Sequence, residues 1–519
     1  MTCAVTHTEH AGDPAGGDRF DRARQTVGIV LGPLLLVALL LIPMDLDWHQ
    51  QSLLALMVFV FVMWITEALP IPVTSLLVLG LAVVLQVPSL EPGSGESASG
   101  FIYGAFSSST LFLVIGGFIL AQAMMVHGLD RRFALAVLSI PGVARSTATV
   151  AIAFGLVAAL VSAFVSNSAA AAMLLPLGLG IVAAIGPEIT AVTGEHASRS
   201  RFACVTMLMI AYGASVGGLL TPIGSTANVI GLGFLKEQVG VEMGFFEWTA
   251  RTAPLSITLF IAMCVVLLVM NRPEVGRLRG ATDYVRDARA SLGPLSRGEI
   301  NTLAAFLLAV VLWVGPSLAG DGAAPGTALH AFQTLDIGTA ALIGASVLFF
   351  LPIDWQERRF TLNWKEGSDI DWGTVLLVGA GLVLGTLMSN TGLAEIIGTN
   401  IVDLLGFTSV VPVVIASVAI AIFISEATSN TAAVGVVVPV VIPIAVAAGI
   451  DPTLPSVAAV FGASCGFMMP VSTPPNAIVY GSGMVPIFRM FRTGIVFDVI
   501  AVAVISAGVL AIAAINPLT

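Results

Sequence analysis

Charge is what this sequence has least of. Asp, Glu, Lys and Arg supply 10% of its 519 residues, against about 25% in soluble proteins, which excludes an ordinary soluble enzyme. No basic block occurs and the formal net charge is −10. A nucleic-acid binder, which needs a cationic footprint, is excluded with it. Cysteine is scarce: Cys3, Cys204, Cys264 and Cys465. The last three stand in apolar stretches without paired spacing and read as small hydrophobes, not as a disulfide framework or metal site. No HExxH string and no cluster of His, Asp and Cys occurs in the apolar segments, which argues against a membrane enzyme.

What is present is apolar length. Hydrophobic residues make up 57% of the chain and the mean hydropathy is +0.99, so one polytopic membrane body replaces the roughly three soluble domains that length alone would allow. Residues 1–26 read as a polar, flexible tail. The apolar run 27–43 ends in Ile-Pro-Met-Asp without a small-residue cleavage site. It is therefore taken as an extra first membrane helix, not a signal peptide. Further spans of bilayer length are expected near 53–69, 73–88, 110–126, 254–271, 302–318, 336–352, 374–389 and 494–514. Two stretches, 201–233 and 456–484, are too long for one straight span and carry Gly, Pro and Asn in the middle. They read as broken helices. Two more, 147–185 and 410–447, each hold a short polar triplet near the centre.

Basic residues set the sidedness. With a cytoplasmic N-terminus, 19 of the 21 Lys and Arg residues fall on the inside, and only Lys236 and Arg251 fall outside. This supports eleven crossings and an external C-terminus. It requires 147–185 and 410–447 each to return to the side they entered from. Sidedness allows a re-entrant hairpin or two full spans; the uncharged triplet favours a hairpin whose tip stops inside the membrane.

An internal repeat is the most informative feature. Residues 73–88 align with 337–352, and TLFLVIGGFILAQAMMVHGL (110–129) with TVLLVGAGLVLGTLMSNTGL (374–393). SNSAAAAMLLP (166–176) aligns with SNTAAVGVVVP (429–439), and GASVGGLLTPIGSTANVI (213–230) with GASCGFMMPVSTPPNAIV (462–479). The order is the same in both copies. The first spans 53–271 and the second 302–514, joined by an Arg-rich cytoplasmic linker at 272–300. Each copy has an odd number of crossings, so the two lie upside down relative to each other. Inverted repeats with broken helices mark secondary transporters, with the site at the repeat interface near the midplane.

The polar residues inside these segments carry the chemistry. Ser166-Asn167-Ser168 and Ser429-Asn430-Thr431 each precede an Ala- or Val-rich helix. Ser and Asn are good N-caps, so each triplet opens a half-helix whose free N–H groups suit an anion. Amide oxygens, hydroxyls and unwound carbonyls suit a hard cation. One such triplet alone reads as a self-capping turn; two in register, each paired with a broken helix, favour binding. The breaks at 221–228 and 470–476 free backbone carbonyls, which persist in a membrane only where protein, ion or water satisfies them. GASVG and GASCG before each break read as close helix contacts. Apart from Arg201 at the edge of 201–233, the expected spans hold no Lys or Arg, so a bound anion must be met by helix termini, hydroxyls, amides and co-bound cations. Glu67 and Glu426 are intramembrane acids without a counterpart in the other copy; a hydrogen-bonded anchor is preferred to a proton relay. Trp48, Trp248, Trp355, Trp364 and Trp372 are expected in an interfacial aromatic belt.

The paired triplets, the SEATSNTA and PVSTPPNAIV strings and the inverted halves resemble the divalent anion/sodium symporter family, the sodium-coupled dicarboxylate, citrate and sulfate carriers. The resemblance covers nearly the whole chain after residue 27. It implies an all-α polytopic membrane protein of about 11 transmembrane helices, with two inverted-topology repeats, two re-entrant hairpins and two broken helices. It also implies a homodimer in the cytoplasmic membrane, with a scaffold and an elevator-like transport domain in each subunit. The activity implied is import of C4-dicarboxylates (succinate, malate, fumarate) with Na+, without an organic cofactor. A sodium-independent exchanger, a sulfate symporter, and an arsenite or Na+/H+ antiporter of related architecture are the alternatives. The resemblance assigns a first sodium site to Ser162, Ser166, Asn167 and Gly224, and a second to Ser425, Thr428, Asn430 and Ser472. Substrate carboxylates would meet Asn167, Ser168, Ser225, Asn430, Thr431 and Thr473, with Pro474 shaping the pocket. Two departures bear on this. The first triplet ends in Ser168 where dicarboxylate carriers usually have Thr, and the first break reads GSTAN in place of a Thr/Ser-Pro-Pro-Asn string.

Overall fold

The computed structural model describes residues 14–91, 95–143, 146–194, 196–276, 281–320, 322–406 and 409–515. Residues 1–13 of the expected tail, Cys3, and Arg145, Arg277 and Arg279 of the expected inside loops lie outside these. The described chain is almost wholly helical. In the first half come α1 (Pro14–Leu41), α2 (Trp48–Thr66), α3 (Ile71–Val84), α4 (Ala98–Phe106), α5 (Ser109–His127) and α6 (Leu129–Leu138). A helix pair follows, α7 (Thr147–Ser162) and α8 (Asn167–Ala184), then α9 (Gly186–Thr193). Next is a helix interrupted at its middle, α10 (Arg201–Gly217) and α11 (Thr226–Val239), with a single 3-10 turn at Pro222–Gly224 between its parts. The half closes with α12 (Phe245–Met270).

After α13 (Ala281–Ala290) the pattern recurs: α14 (Arg297–Leu318), α15 (Ala328–Gln333), α16 (Ile337–Val347), α17 (Trp364–Gly367), α18 (Trp372–Thr391) and α19 (Leu393–Leu405). The second helix pair is α20 (Val410–Ala427) and α21 (Asn430–Ala447). The second interrupted helix is α22 (Thr453–Ala463) and α23 (Pro474–Gly481), and α24 (Ile487–Ile515) ends the described chain. The one strand pair among the described residues, β1 (Pro352–Asp354) with β2 (Arg359–Phe360), is an antiparallel ribbon after α16. Among the described residues, ten helices are long and apolar enough to cross a membrane.

The two halves interlock. Within each half, a hairpin arm packs on the first part of its own broken helix, α7 on α10 and α20 on α22. Glycines make this possible: a Cβ at Gly213 would stand 2.6 Å from Gly155 O, and one at Gly462 would stand 2.8 Å from Val418 O. The GASVG and GASCG strings are thus packing surfaces. Between halves the second parts cross over, α11 packing on α21 and α23 on α8. The three described cysteines are free and buried.

Several expectations need correction. Helix α1 starts at Pro14, so residues 14–26 are helical instead of forming a flexible tail, with the membrane-length apolar part beginning at Arg22. Arg22 and Arg24 therefore lie inside a helix, as do Lys236, Arg251, Arg489 and Arg492, because helices run past the apolar core into the polar boundary. Segment 272–300 is not a bare linker: α13 packs on α6 and α8, and α14 begins within it, capped by Ser296 in a capping box with Glu299. Glu299 is buried and pairs with Arg132, whose guanidinium also donates to the carbonyls of Leu292, Gly293 and Pro294. Trp248 is no belt residue. It is fully buried, and its indole donates to Leu219 O at 3.1 Å, at the break after α10.

Candidate functional site

Four helix beginnings converge on one cavity of about 550 Å³. Ser166 caps α8, Ser225 precedes α11, Ser429 caps α21 and Thr473 caps α23. Ser166 Oγ accepts from Ala169 N and Ser429 Oγ from Ala432 N, both at 3.3 Å. The two tips are therefore built alike, as their matching triplets require. Ser225 makes no side-chain cap bond and lines the cavity. All seven residues expected to meet substrate, Asn167, Ser168, Ser225, Asn430, Thr431, Thr473 and Pro474, line this space. Phe118, Gln122 and Met125 of α5 close one side, and Asp369, Asp371 and Thr374 before and within α18 close another. No lysine or arginine lines it among the described residues. Asp371 is turned to its own helix, accepting from Thr374 N at 3.1 Å and Thr374 Oγ1 at 2.6 Å.

Behind the first tip the oxygens gather. Ser162 is buried at the end of α7, with its hydroxyl 2.6 Å from the Asn167 side-chain amide. That end of the amide also stands 3.2 Å from Ala214 O and from Gly224 O. Turned inward, the amide nitrogen donates to all three. Turned inward, the amide oxygen completes a ring of hard oxygen ligands, which is a cation's preference. Gly224 closes this nest: the position of its missing Cβ is 2.7 Å from Gly218 O and 2.9 Å from both Ala163 O and Ser162 O. Behind the second tip, Ser425 Oγ lies 3.0 Å from Asn430 Oδ1 and 2.6 Å from Ala463 O. Thr428 and Ser472 are buried beside it. Ser472 donates to Glu426, at 2.6 Å to the carboxylate. The expected sodium ligands thus fall into two groups, Ser162, Asn167 and Gly224 in one and Ser425, Thr428, Asn430 and Ser472 in the other. Ser166 differs: its hydroxyl is occupied as the cap of α8.

Two asparagines not singled out in sequence hold the breaks open. Asn228 is fully buried and donates to Gly218 O and Thr221 O, each at 2.8 Å. Asn476 does the same to Gly466 O and Met469 O at 3.0 and 3.1 Å. Each amide bridges the carbonyls on either side of an unwound turn. Losing one leaves Gly218 O or Gly466 O unpaired, at about 1–3 kcal/mol, while Thr221 O and Met469 O keep the amides of Gly224 and Ser472. Their signal was visible: they occupy equivalent places in the repeat. Thr226 also belongs here, joining the halves through a 2.8 Å hydrogen bond to Thr431. Glu67 ends α2 in a left-handed conformation and pairs with Arg24 at 2.7 Å. Arg24 also donates to Ala427 O at the second tip. Both carboxylates thus accept hydrogen bonds, Glu67 from Arg24 and Glu426 from Ser472 and the Phe467 and Met468 amides.

Comparison with known proteins decides the family. The model for the "Sodium:sulfate symporter transmembrane region" matches residues 24–514. The chain belongs to this family. A sodium-dependent dicarboxylate transporter of Staphylococcus saprophyticus is 32% identical over 487 residues, 93% of this chain and 90% of that protein. The Staphylococcus aureus transporter of the same name is 31% identical over the same shares. Among solved structures, MtrF of Neisseria gonorrhoeae, described as an antimetabolite efflux pump, superposes with a TM-score of 0.56. It is 14% identical, and the match covers 86% of this chain and 96% of that one; this likeness concerns fold alone. As a member of the family, the chain is a multi-pass membrane transporter and not an enzyme.

Proposed function

We propose that this transporter imports C4-dicarboxylates together with sodium by elevator-type alternating access. The observation that carries this reading is the meeting of four helix N-termini in a cavity without a cationic side chain. Helix N-termini offer N–H groups and partial positive charge to two carboxylates. Two aspartates on the rim add negative charge, so co-bound cations are needed to hold a dianion. The oxygen nests behind each tip supply places for them. The sodium-dependent dicarboxylate relatives support both parts of the reading. The cavity volume falls within the usual range for small-molecule sites, roughly 300–1,000 Å³.

In this reading the helix pairs α7–α8 and α20–α21, with both broken helices, form the moving domain. Helices α5 and α18 belong to the scaffold, in a homodimer with an inside N-terminus and an outside C-terminus. The cavity touches the end of α5 and the start of α18, both cytoplasmic by the distribution of basic residues. It therefore opens inward. Sodium binding orders the tips and completes the anion site.

Uptake of labelled succinate into proteoliposomes tests this directly. Uptake into empty vesicles should require an inward sodium gradient. Sodium-independent uptake that needs preloaded dicarboxylate would establish an exchanger and remove the sodium assignments. Sulfate is the second reading, favoured by Ser168, whose hydroxyl lacks the methyl of a threonine. Ser168→Thr is expected to keep transport and shift the preference for succinate over sulfate by roughly fourfold, the worth of one methyl group. An unchanged competition profile for every anion would remove Ser168 from selectivity.

A further inference from the structure

The last helix brings an acid to the second break that neither the cavity nor the two oxygen nests use. Asp498 lies in the apolar part of α24 and is 3% exposed. Gly494, one turn earlier on the same face, lets α24 lie directly against the unwound backbone. The position of its missing Cβ is 2.4 Å from Phe467 C and O and 2.5 Å from Met468 Cα. Asp498 is thereby delivered beside the carboxyl of Glu426.

The neighbouring donors are already committed. Phe467 N–H and Met468 N–H donate to Glu426 Oε1, the latter at 2.8 Å. Ser472 Oγ donates to Glu426 Oε2 at 2.6 Å. The Tyr212 hydroxyl donates to Phe467 O at 2.6 Å, and the Cys465 thiol to Phe461 O. Asp498 lies within reach of the Glu426 carboxyl and the Phe467 amide, yet neither of its carboxylate oxygens receives a hydrogen bond of normal length and angle among the described residues. The arginines of the same helix, Arg489 and Arg492, lie roughly 13 and 9 Å away along its axis.

The first half is built differently at the equivalent place. Its break offers carbonyls, and α12 answers with donors: Trp248 to Leu219 O at 3.1 Å and Thr252 to Leu220 O at 3.4 Å. In the second half α24 answers with another acceptor. Two carboxyls face each other in a low-dielectric interior, where like charges repel strongly and an unpaired one is costly. Something positive belongs between them.

We propose that Asp498 and Glu426 form a further sodium site, additional to the nests behind the two tips. Two carboxylates are hard oxygen ligands, suited to a small hard cation and not to a soft metal. Because Glu426 also holds the amides of Phe467 and Met468, an ion here tightens the second break, next to Thr473 and Pro474 at the cavity. The site couples ion binding to the shape of the substrate pocket through backbone already on both.

This site rests on the sodium-coupled reading, and the test separates the two. In full-length protein reconstituted in liposomes, labelled sodium and succinate fluxes give the sodium-to-substrate ratio. Asp498→Asn keeps shape and removes the charge. It should lose one sodium per substrate and lower the Hill coefficient for sodium, while Asp498→Glu retains both. A sodium-coupled wild type whose ratio and Hill coefficient are the same in D498N overturns this site alone. A wild type without sodium dependence overturns the coupling reading and the site together. Should D498N fail to fold, judged by size exclusion in detergent, Glu426→Gln is measured in the same way, and an unchanged ratio there counts equally against the site. A ratio that follows pH and not sodium in the wild type, and loses that dependence in D498N, overturns it in favour of a proton.

Discussion

Gly224→Ala is expected to abolish sodium-driven uptake at ordinary sodium concentrations. The added methyl would stand 2.7 Å from Gly218 O and 2.9 Å from Ala163 O and Ser162 O, where real Cβ atoms are essentially never found. Two of these carbonyls do not retreat cheaply. Gly218 O is held by Asn228, and Ala163 O accepts from the Thr221 hydroxyl. The methyl therefore occupies the centre of the oxygen nest instead of displacing its wall. Overpacking of this kind costs about 1–3 kcal/mol, which corresponds to roughly 5- to 150-fold weaker sodium binding. Sodium titration of uptake measures it, with Gly104→Ala as the control, since a Cβ there meets nothing within 4 Å. An unaltered sodium response in G224A would mean that the nest holds no transported ion.

Asn430→Ala is expected to be more severe, because one side chain serves two ligands. Asn430 opens α21, lines the cavity and sits 3.0 Å from the Ser425 hydroxyl behind the tip. Its amide faces the second group of cation ligands and the substrate space at once. Polar contacts to charged partners contribute about 1.5–3 kcal/mol each. Losing two lowers uptake by about 100-fold or more. The backbone is untouched, and Ser429 still caps the helix, so the variant should elute and melt like the parent. Full uptake by N430A would remove the second tip from the binding site.

The parts of this molecule legible in sequence are those where local chemistry and the repeat agree. Thr147, Ala184, Val410 and Ala447 bound the two helix pairs. Each pair is interrupted where Ser-Asn-Ser or Ser-Asn-Thr offers the backbone a cap. The breaks fall where Pro and Gly permit nothing else. The residues assigned to substrate share one cavity because they all stand at helix beginnings. Other features depend on partners far along the chain. Trp248 looks interfacial by position, yet the carbonyl it caps belongs to the preceding broken helix. The helical part of 272–300 is fixed by burial of Val285 and packing on α6 and α8, which an Arg-rich stretch does not advertise. Asp498 has no motif around it. Only the approach of α24 at Gly494 brings it to Glu426, and no periodicity in one strand of text records that meeting.

The crossed packing of α8 on α23 has a consequence for how the protein is made. The first tip leaves the ribosome with Asn167, but the helix that completes its surroundings begins at Pro474. Roughly 290 residues of synthesis separate Ala184 from that partner, or about 15–60 s at usual elongation rates of roughly 5–20 residues per second. During that interval the polar start of α8, Asn167 and Ser168, sits without its final neighbour, and α11 waits likewise for α21. A chain cut in the region of α13 should thus yield a first half that inserts yet stays open to insertion-site chaperones and membrane proteases. Co-expression of the second half should protect it.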